Sequence, residues 1–272
     1  MPSWHLTFSS DGRSALFPDE ALRCRAVRTV LRVAGRQLLL FCIVDDHVHV
    51  VVLCEADRVG RLARALLLAL RPVAGPALAP AFVRPVEGRS HLLWLVRYCL
   101  RQPLKHGIGV HPALWTGSCF LDLVGARVVE GFTPSLREAL PRLRLRTLFE
   151  HVGLEARPLE PLDDQALRAV GSAHLVDAAT AALAAPPDLA GNTPLVVTCR
   201  RAVAQLGRAA DLSSQQLARA LHVQPNAARR LADGVVDPRL LLAVRLRLAL
   251  EQRVQDQPLL VADEAPDDQA WG

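Results

Sequence analysis

The stretch Gln37-Leu38-Leu39-Leu40-Phe41-Cys42-Ile43-Val44-Asp45-Asp46-His47-Val48-His49-Val50-Val51-Val52-Leu53-Cys54 decides the fold. Gln37 to Val44 is an apolar run of strand length, Asp45-Asp46 is a turn signal, and His47 to Cys54 reads as a second strand. Together they predict an antiparallel hairpin. Side chains alternate faces along a strand, so His47 and His49 point one way while Val48, Val50 and Val52 point the other, into a core. Two neutral imidazoles on one face form a natural chelate for a divalent cation. The same pair also suits two partly buried strand histidines, and the motif alone does not choose between them.

The surrounding chain reads as mixed α and β. Trp4 to Ser9 predicts a strand, and Phe17-Pro18-Asp19-Glu20 opens a helix carrying Leu22, Val27, Val30 and Leu31 with Arg23, Arg25, Arg28 and Arg32. Ala56 to Leu70 predicts an amphipathic helix with Val59, Leu62, Leu66 and Leu70 on one face. A Pro/Ala loop, Gly75 to Pro80, separates it from a short strand over Ala81 to Glu87. Ser90 is placed to cap a helix from His91 to Gln102 that Pro103 stops. Residues 133–154 predict one helix rich in leucine and arginine. Residues 156–194 read as a proline-punctuated, partly helical connector. Residues 195–253 read as helical again, followed by an acidic tail expected to be disordered.

Composition sets the limits. The chain has 272 residues, 51% of them apolar, enough to bury a core. A mean hydropathy of +0.20 is high, yet no stretch approaches the roughly 20 apolar residues that span a bilayer. The first residues carry no basic and apolar leader pattern. The six cysteines are scattered, with no CxxC pair. That argues against a disulfide scaffold or a thiolate zinc knuckle and points to a reducing cytoplasm, with no membrane partner. A net charge of +5 and a pI of about 9.2 suit a nucleic-acid partner without requiring one. Lys105 is the only lysine, and a coding bias toward arginine explains this as well as phosphate binding does.

Tyr98 is the only tyrosine. It lies on the predicted His91–Gln102 helix, and Gln102, four residues on, projects from the same face. A phenol beside a cation can attack a phosphodiester, and the Gln102 amide oxygen can join the two histidines as a ligand. Taken alone, the pair also fits a helix tyrosine with a wet hydroxyl and a C-terminal glutamine.

In combination these pieces resemble a known family. The order runs strand, Phe-Pro-Asp-Glu helix, apolar strand, His-hydrophobe-His strand, helix, and then Tyr98-Cys99-Leu100-Arg101-Gln102-Pro103-Leu104-Lys105-His106-Gly107. This resembles the HUH-type single-tyrosine transposases, and within them the REP-associated tyrosine transposases, whose tyrosine helix reads approximately Tyr-Ile-x-x-Asn-Pro-Val-Lys/Arg-Ala/His-Gly. A later Trp-Ser-Ser-like block is answered by Trp115-Thr116-Gly117-Ser118 and Gly125. The resemblance covers residues 3–128. Two departures stand out: Val44-Asp45-Asp46 where the family has Met-Pro-Asn, and Gln102 where it has asparagine. The amide oxygen is kept on a longer arm, and Asp46 is placed to support a histidine.

The resemblance implies an α+β fold, a ferredoxin-like antiparallel sheet with helices packed on one face and a metal site on the other. It implies a metal-dependent single-stranded DNA endonuclease and strand transferase. Tyr98 would form a 5′-phosphotyrosine, with Mg²⁺ or Mn²⁺ held by His47, His49 and Gln102. Hairpin or repeat DNA would be the substrate, and Arg101 and Lys105 would contact it. Homodimers are usual in the wider superfamily, and monomers occur among the REP-associated members. A catalytically silent DNA-binding regulator derived from a transposase is the alternative. A metal-dependent amidohydrolase, which also uses HxH, would need βα repeats that this chain lacks.

Leu212 to Leu231 has the pattern of a helix-turn-helix. Ser213 or Ser214 caps its first helix, Leu217, Ala218 and Leu221 face inward, and Pro225 starts the second helix. Gln224, Asn226, Arg229 and Arg230 would meet a duplex or a hairpin stem. A plain helical bundle for dimerisation is the other reading of this region. The expected organisation is therefore 1–128 as the nuclease domain, 129–190 as an Ala/Pro-rich connector, 191–255 as an all-α DNA-binding domain and 256–272 as the tail.

Overall fold

The computed structural model describes residues 1–10, 12, 14–129 and 135–257. The fold is α+β. Four strands, β1 (Ser3–Ser9), β2 (Leu38–Ile43), β3 (His47–Leu53) and β4 (Phe82–Pro85), form an antiparallel sheet in the order β2-β3-β1-β4. The β2–β3 hairpin is the one read from the sequence. Its turn holds because Val44 N–H bonds the His47 carbonyl, while the Asp45 carbonyl takes the amides of Leu16 and Phe17.

Register fixes the two faces. Thr7 lies opposite His49, and Ser9 opposite His47. Opposed residues share a face, so His5, Thr7 and Ser9 continue the histidine face onto β1. The other face presents Leu6, Phe8, Val48, Val50 and Val52, all fully buried. α1 (Glu20–Ala34) and α2 (Ala56–Ala74) pack on each other and on β2 and β1, and Val27, Val30, Leu66 and Leu70 supply their buried sides. Asp19 caps α1 by accepting the Leu22 amide at 2.8 Å. α3 (Gly88–Lys105) packs on β2 and carries Tyr98 to the histidine face.

Two expected boundaries fail. α3 starts before Ser90: Glu87 is its N-cap residue and donates its amide to His91 Nδ1. Nor does Pro103 stop it. The missing N–H and the ring cost one helical bond, but Pro103 is buried, and the helix runs to Lys105 before Gly107 turns at φ +62°. The 133–154 helix is also broken. α4 (Phe120–Leu123) is followed by α5 (Leu136–Ala139) and α6 (Leu145–His151) as separate pieces. Pro141 has no amide to donate and drives Leu140 out of helical geometry. Leu136, Leu148 and Phe149 join the first core.

The stretch expected as a connector contains α7 (Asp164–Leu167) and α8 (Ser172–Leu183). Beyond it lie α9 (Pro194–Ala209), α10 (Ser214–Ala220), α11 (Pro225–Ala232) and α12 (Pro238–Asp256). α8, α9 and α12 build a second core around Leu175, Val203 and Val244. Ser213 and Gln216 form a reciprocal capping box on α10, and Pro225 occupies the first turn of α11. A Cβ on Gly207 of α9 would lie 2.4 Å from the end of the Leu217 side chain, so α9 and α10 pack closely here. Leu246 and Leu250 of α12 reach into the first core. α12 ends at Asp256, and 258–272, where the acidic tail is expected, lie outside the described residues. No helix among the described residues is long and apolar enough to cross a membrane. All six cysteines are free and buried.

Candidate metal and nucleophile site

Two imidazoles and the phenol, distant in sequence, meet on the histidine face of the sheet, beneath α3. The His47 and His49 rings lie 4.6 Å apart. The Tyr98 ring stands edge-on to His49 at 5.2 Å and stacks flat on Trp94 at 4.8 Å. The Lys105 ammonium lies 5.5 Å from the centre of the Tyr98 ring. Trp94 is half-buried, packs against the first core and braces the phenol.

Each histidine is held by one ring nitrogen. His47 Nδ1 bonds the Asp46 carboxylate at 2.6 Å. His49 Nδ1 lies 3.1 Å from His5 Nε2 and 3.3 Å from Thr7 Oγ1. Such partners fix ring orientation and tautomer and leave the far nitrogen for a ligand. His49 Nε2 is buried and has no partner, and the same is true of Gln102 Oε1. The Gln102 amide nitrogen is turned back to the Tyr98 carbonyl at 3.4 Å. A bare buried polar atom costs about 1–3 kcal/mol. Among the seven such atoms in the described residues, these two belong to residues near Tyr98 in the fold or on its helix. The donor set, imidazole nitrogen with amide oxygen, fits a divalent ion.

A second grouping overlaps this one. Ligand atoms of Asp46, His47 and His106 lie within 4.8 Å of one another, and the His47 and His106 rings are 4.7 Å apart. In the sequence His106 stands only as part of the Tyr98–Gly107 motif. Its approach to the hairpin turn depends on the end of α3 and has no local signal.

Burial disfavours the charged forms of His49, His5 and His106. Burial first, then the neighbouring histidines, holds His49 well below the usual imidazole value, and His106 is lowered for the same reasons. His5 falls to about 4 through burial, His91 and Arg84. Burial tends to raise Asp46, but its hydrogen bond and proximity to His47 outweigh this and hold it below the usual carboxylate value. Away from the site, His151 also falls to about 4, through burial and then Arg97 and Arg101. Both His5 and His151 have folded values below the unfolded 6.5. The stability they contribute is present above about pH 6.5 and is lost as pH falls toward 4. The urea midpoint should therefore fall between pH 7 and pH 4.5, and His151→Gln should flatten the decline. An unchanged midpoint across that range would contradict these burial effects.

The other expected DNA contacts divide. Lys105 is exposed beside the phenol, whereas Arg101 is half-buried on the neighbouring stripe with Arg97, toward His151. Gln224, Asn226, Arg229 and Arg230 are exposed on α11, and Arg229 Nε donates to Ser214 Oγ. Several other arginines tie the fold together. Arg23 covers Trp115 and donates to the Phe17 carbonyl, Arg245 binds the Leu162 carbonyl and Asp164, and Arg247 binds Glu251 and the Leu114 carbonyl.

No known family profile and no curated protein sequence matches this chain. A solved structure of a REP-associated tyrosine transposase bound to a REP hairpin is similar to it. The likeness is 18% in sequence, covers 44% of this chain and 76% of that one, and has a TM-score of 0.36.

Proposed function

We propose that this protein is a metal-dependent single-stranded DNA endonuclease and strand transferase of the HUH single-tyrosine type. The observation that carries the reading is the pair of bare buried atoms, His49 Nε2 and Gln102 Oε1, on the residues that flank Tyr98. His47, His49 and Gln102 would hold Mg²⁺ or Mn²⁺. When bound, the ion would offset charge on a non-bridging phosphate oxygen. Asp46 and His5 orient the two imidazoles, and Trp94 and Lys105 lie against the phenol ring. The Tyr98 oxygen attacks phosphorus, and the P–O3′ bond breaks with its electron pair on the 3′ oxygen. That oxygen gains a proton as the phenol loses one. The phosphotyrosine ester retains the bond energy, so a free 3′-hydroxyl can later rejoin the strand.

The test uses the full chain, labelled hairpin oligonucleotides with single-stranded flanks, Mn²⁺ or Mg²⁺, and a denaturing gel. A slow covalent band that EDTA removes is expected. Failure to form it with any candidate repeat leaves the silent DNA-binding regulator.

The C-terminal helices take the duplex part in this reading, within a cytoplasmic DNA-bound protein. Arg229→Ala with Arg230→Ala should weaken hairpin binding about 10-fold and lower its salt dependence. The gel band should persist at saturating DNA. Unchanged affinity in a titration would remove α11 from the interface. Deleting 190–272 is a poorer test, because Leu246 and Leu250 belong to the first core.

A further inference from the structure

β4 is the outermost strand of the sheet among the described residues, and its register sets which way its side chains point. Thr7 lies opposite Phe82, and His5 opposite Arg84. On their other side the same two residues lie opposite His49 and Val51. The histidine face therefore runs outward across β1 onto Phe82 and Arg84, while Leu6 and Val83 point the other way. α3 packs on β2, at the far side of the sheet from β4.

The result is a strip with distinct sides. Half-buried His5 and Thr7 form its floor. Tyr98 and the Lys105 ammonium stand on one side. On the other, Phe82 is 58% exposed, and the Arg84 guanidinium lies 4.7 Å from the centre of its ring. A single exposed phenylalanine is ordinary on a protein surface. This one is paired with a planar cation and lies on the same sheet face as the phenol. An aromatic face accepts any nucleobase, and a guanidinium both stacks and attracts the phosphates of the same strand.

We propose that Phe82 and Arg84 form a stacking subsite for an unpaired nucleobase of the DNA strand that reaches Tyr98. The subsite rests on the nuclease reading above for its occupant. It would hold the strand across the sheet by a contact that does not discriminate among bases, leaving sequence choice to other residues.

The test measures fluorescence polarisation of labelled single-stranded oligonucleotides on the full chain, without divalent cation. Phe82→Ala should weaken binding about 10-fold, and Phe82→Trp should keep or strengthen it. The exposed position means that neither variant should shift the melting temperature. An abasic site at one position of the strand should reproduce the loss, and there Phe82→Ala should have no further effect. Wild-type affinity in Phe82→Ala, or a penalty that no abasic position removes, overturns the subsite and leaves the nuclease reading intact. Phe82-dependent binding with no covalent band in Mn²⁺ supports the subsite and ends the nuclease reading. No single-strand binding by the parent protein overturns both.

Discussion

Tyr98→Phe is expected to abolish the covalent protein–DNA band while leaving hairpin affinity within a few-fold of the parent. Three ring contacts help to place this side chain: the Trp94 stack, the edge against His49 and the Lys105 ammonium near the ring. Phenylalanine keeps all three. Only the oxygen is removed, so the substitution takes away the proposed nucleophile and keeps the ring. Because Tyr98 is the single tyrosine, no second phenol can substitute for it. The assay pairs a denaturing gel in Mn²⁺ with a binding titration and a thermal melt. A persisting band would disprove the assignment of Tyr98. A lost band with a fallen melting temperature would instead show that the hydroxyl supports the fold.

The hairpin and its two histidines were legible because strand periodicity is local: alternation alone puts His47 and His49 on one face. Their partners were not. His5 and Thr7 meet His49 through the β1–β3 pairing, and register between strands more than 40 positions apart leaves no mark in either strand. The offset from Tyr98 to Gln102 was readable, but not the fact that both bare atoms are buried. Local rules also failed where tertiary packing overrode them. Pro103 reads as a stop, yet it sits inside a helix end held in the core. Pro141, the real break, lies inside a leucine-rich stretch whose periodicity suggested continuity. The arginines show a further limit. Arg23, Arg245 and Arg247 look the same in composition whether they face phosphate or their own chain's carbonyls. Only the fold distinguishes these uses.

Arg127, which the sequence did not single out, should give the largest loss of stability. Its side chain is fully buried. Nε donates to Asp122 Oδ1 at 2.9 Å, and Nη2 donates to the other oxygen of that carboxylate. Nη1 donates to the Thr116 carbonyl and Nη2 to the Ser118 carbonyl, each at 2.6 Å. These bonds hold the segment that borders β2: the Ile43 amide donates to the Gly117 carbonyl at 2.8 Å, and the Cys119 amide to the Phe41 carbonyl at 3.1 Å. The approach is so close that a Cβ on Gly117 would lie 2.3 Å from the Ile43 carbonyl oxygen. Arg127→Met keeps much of the stem but strands a buried carboxylate and two carbonyls, a loss of about 3–5 kcal/mol. Domains of ordinary stability have about 5–15 kcal/mol in total, so the urea midpoint should fall steeply. Asp122→Leu in the Arg127→Met background should restore part of the loss, because it removes the stranded charge. The effect should reach the candidate site, since Cys42 of β2 lies directly opposite His49. A single variant within 1 kcal/mol of the parent, or a double variant less stable than the single, would show that the charge pair is not what holds this edge.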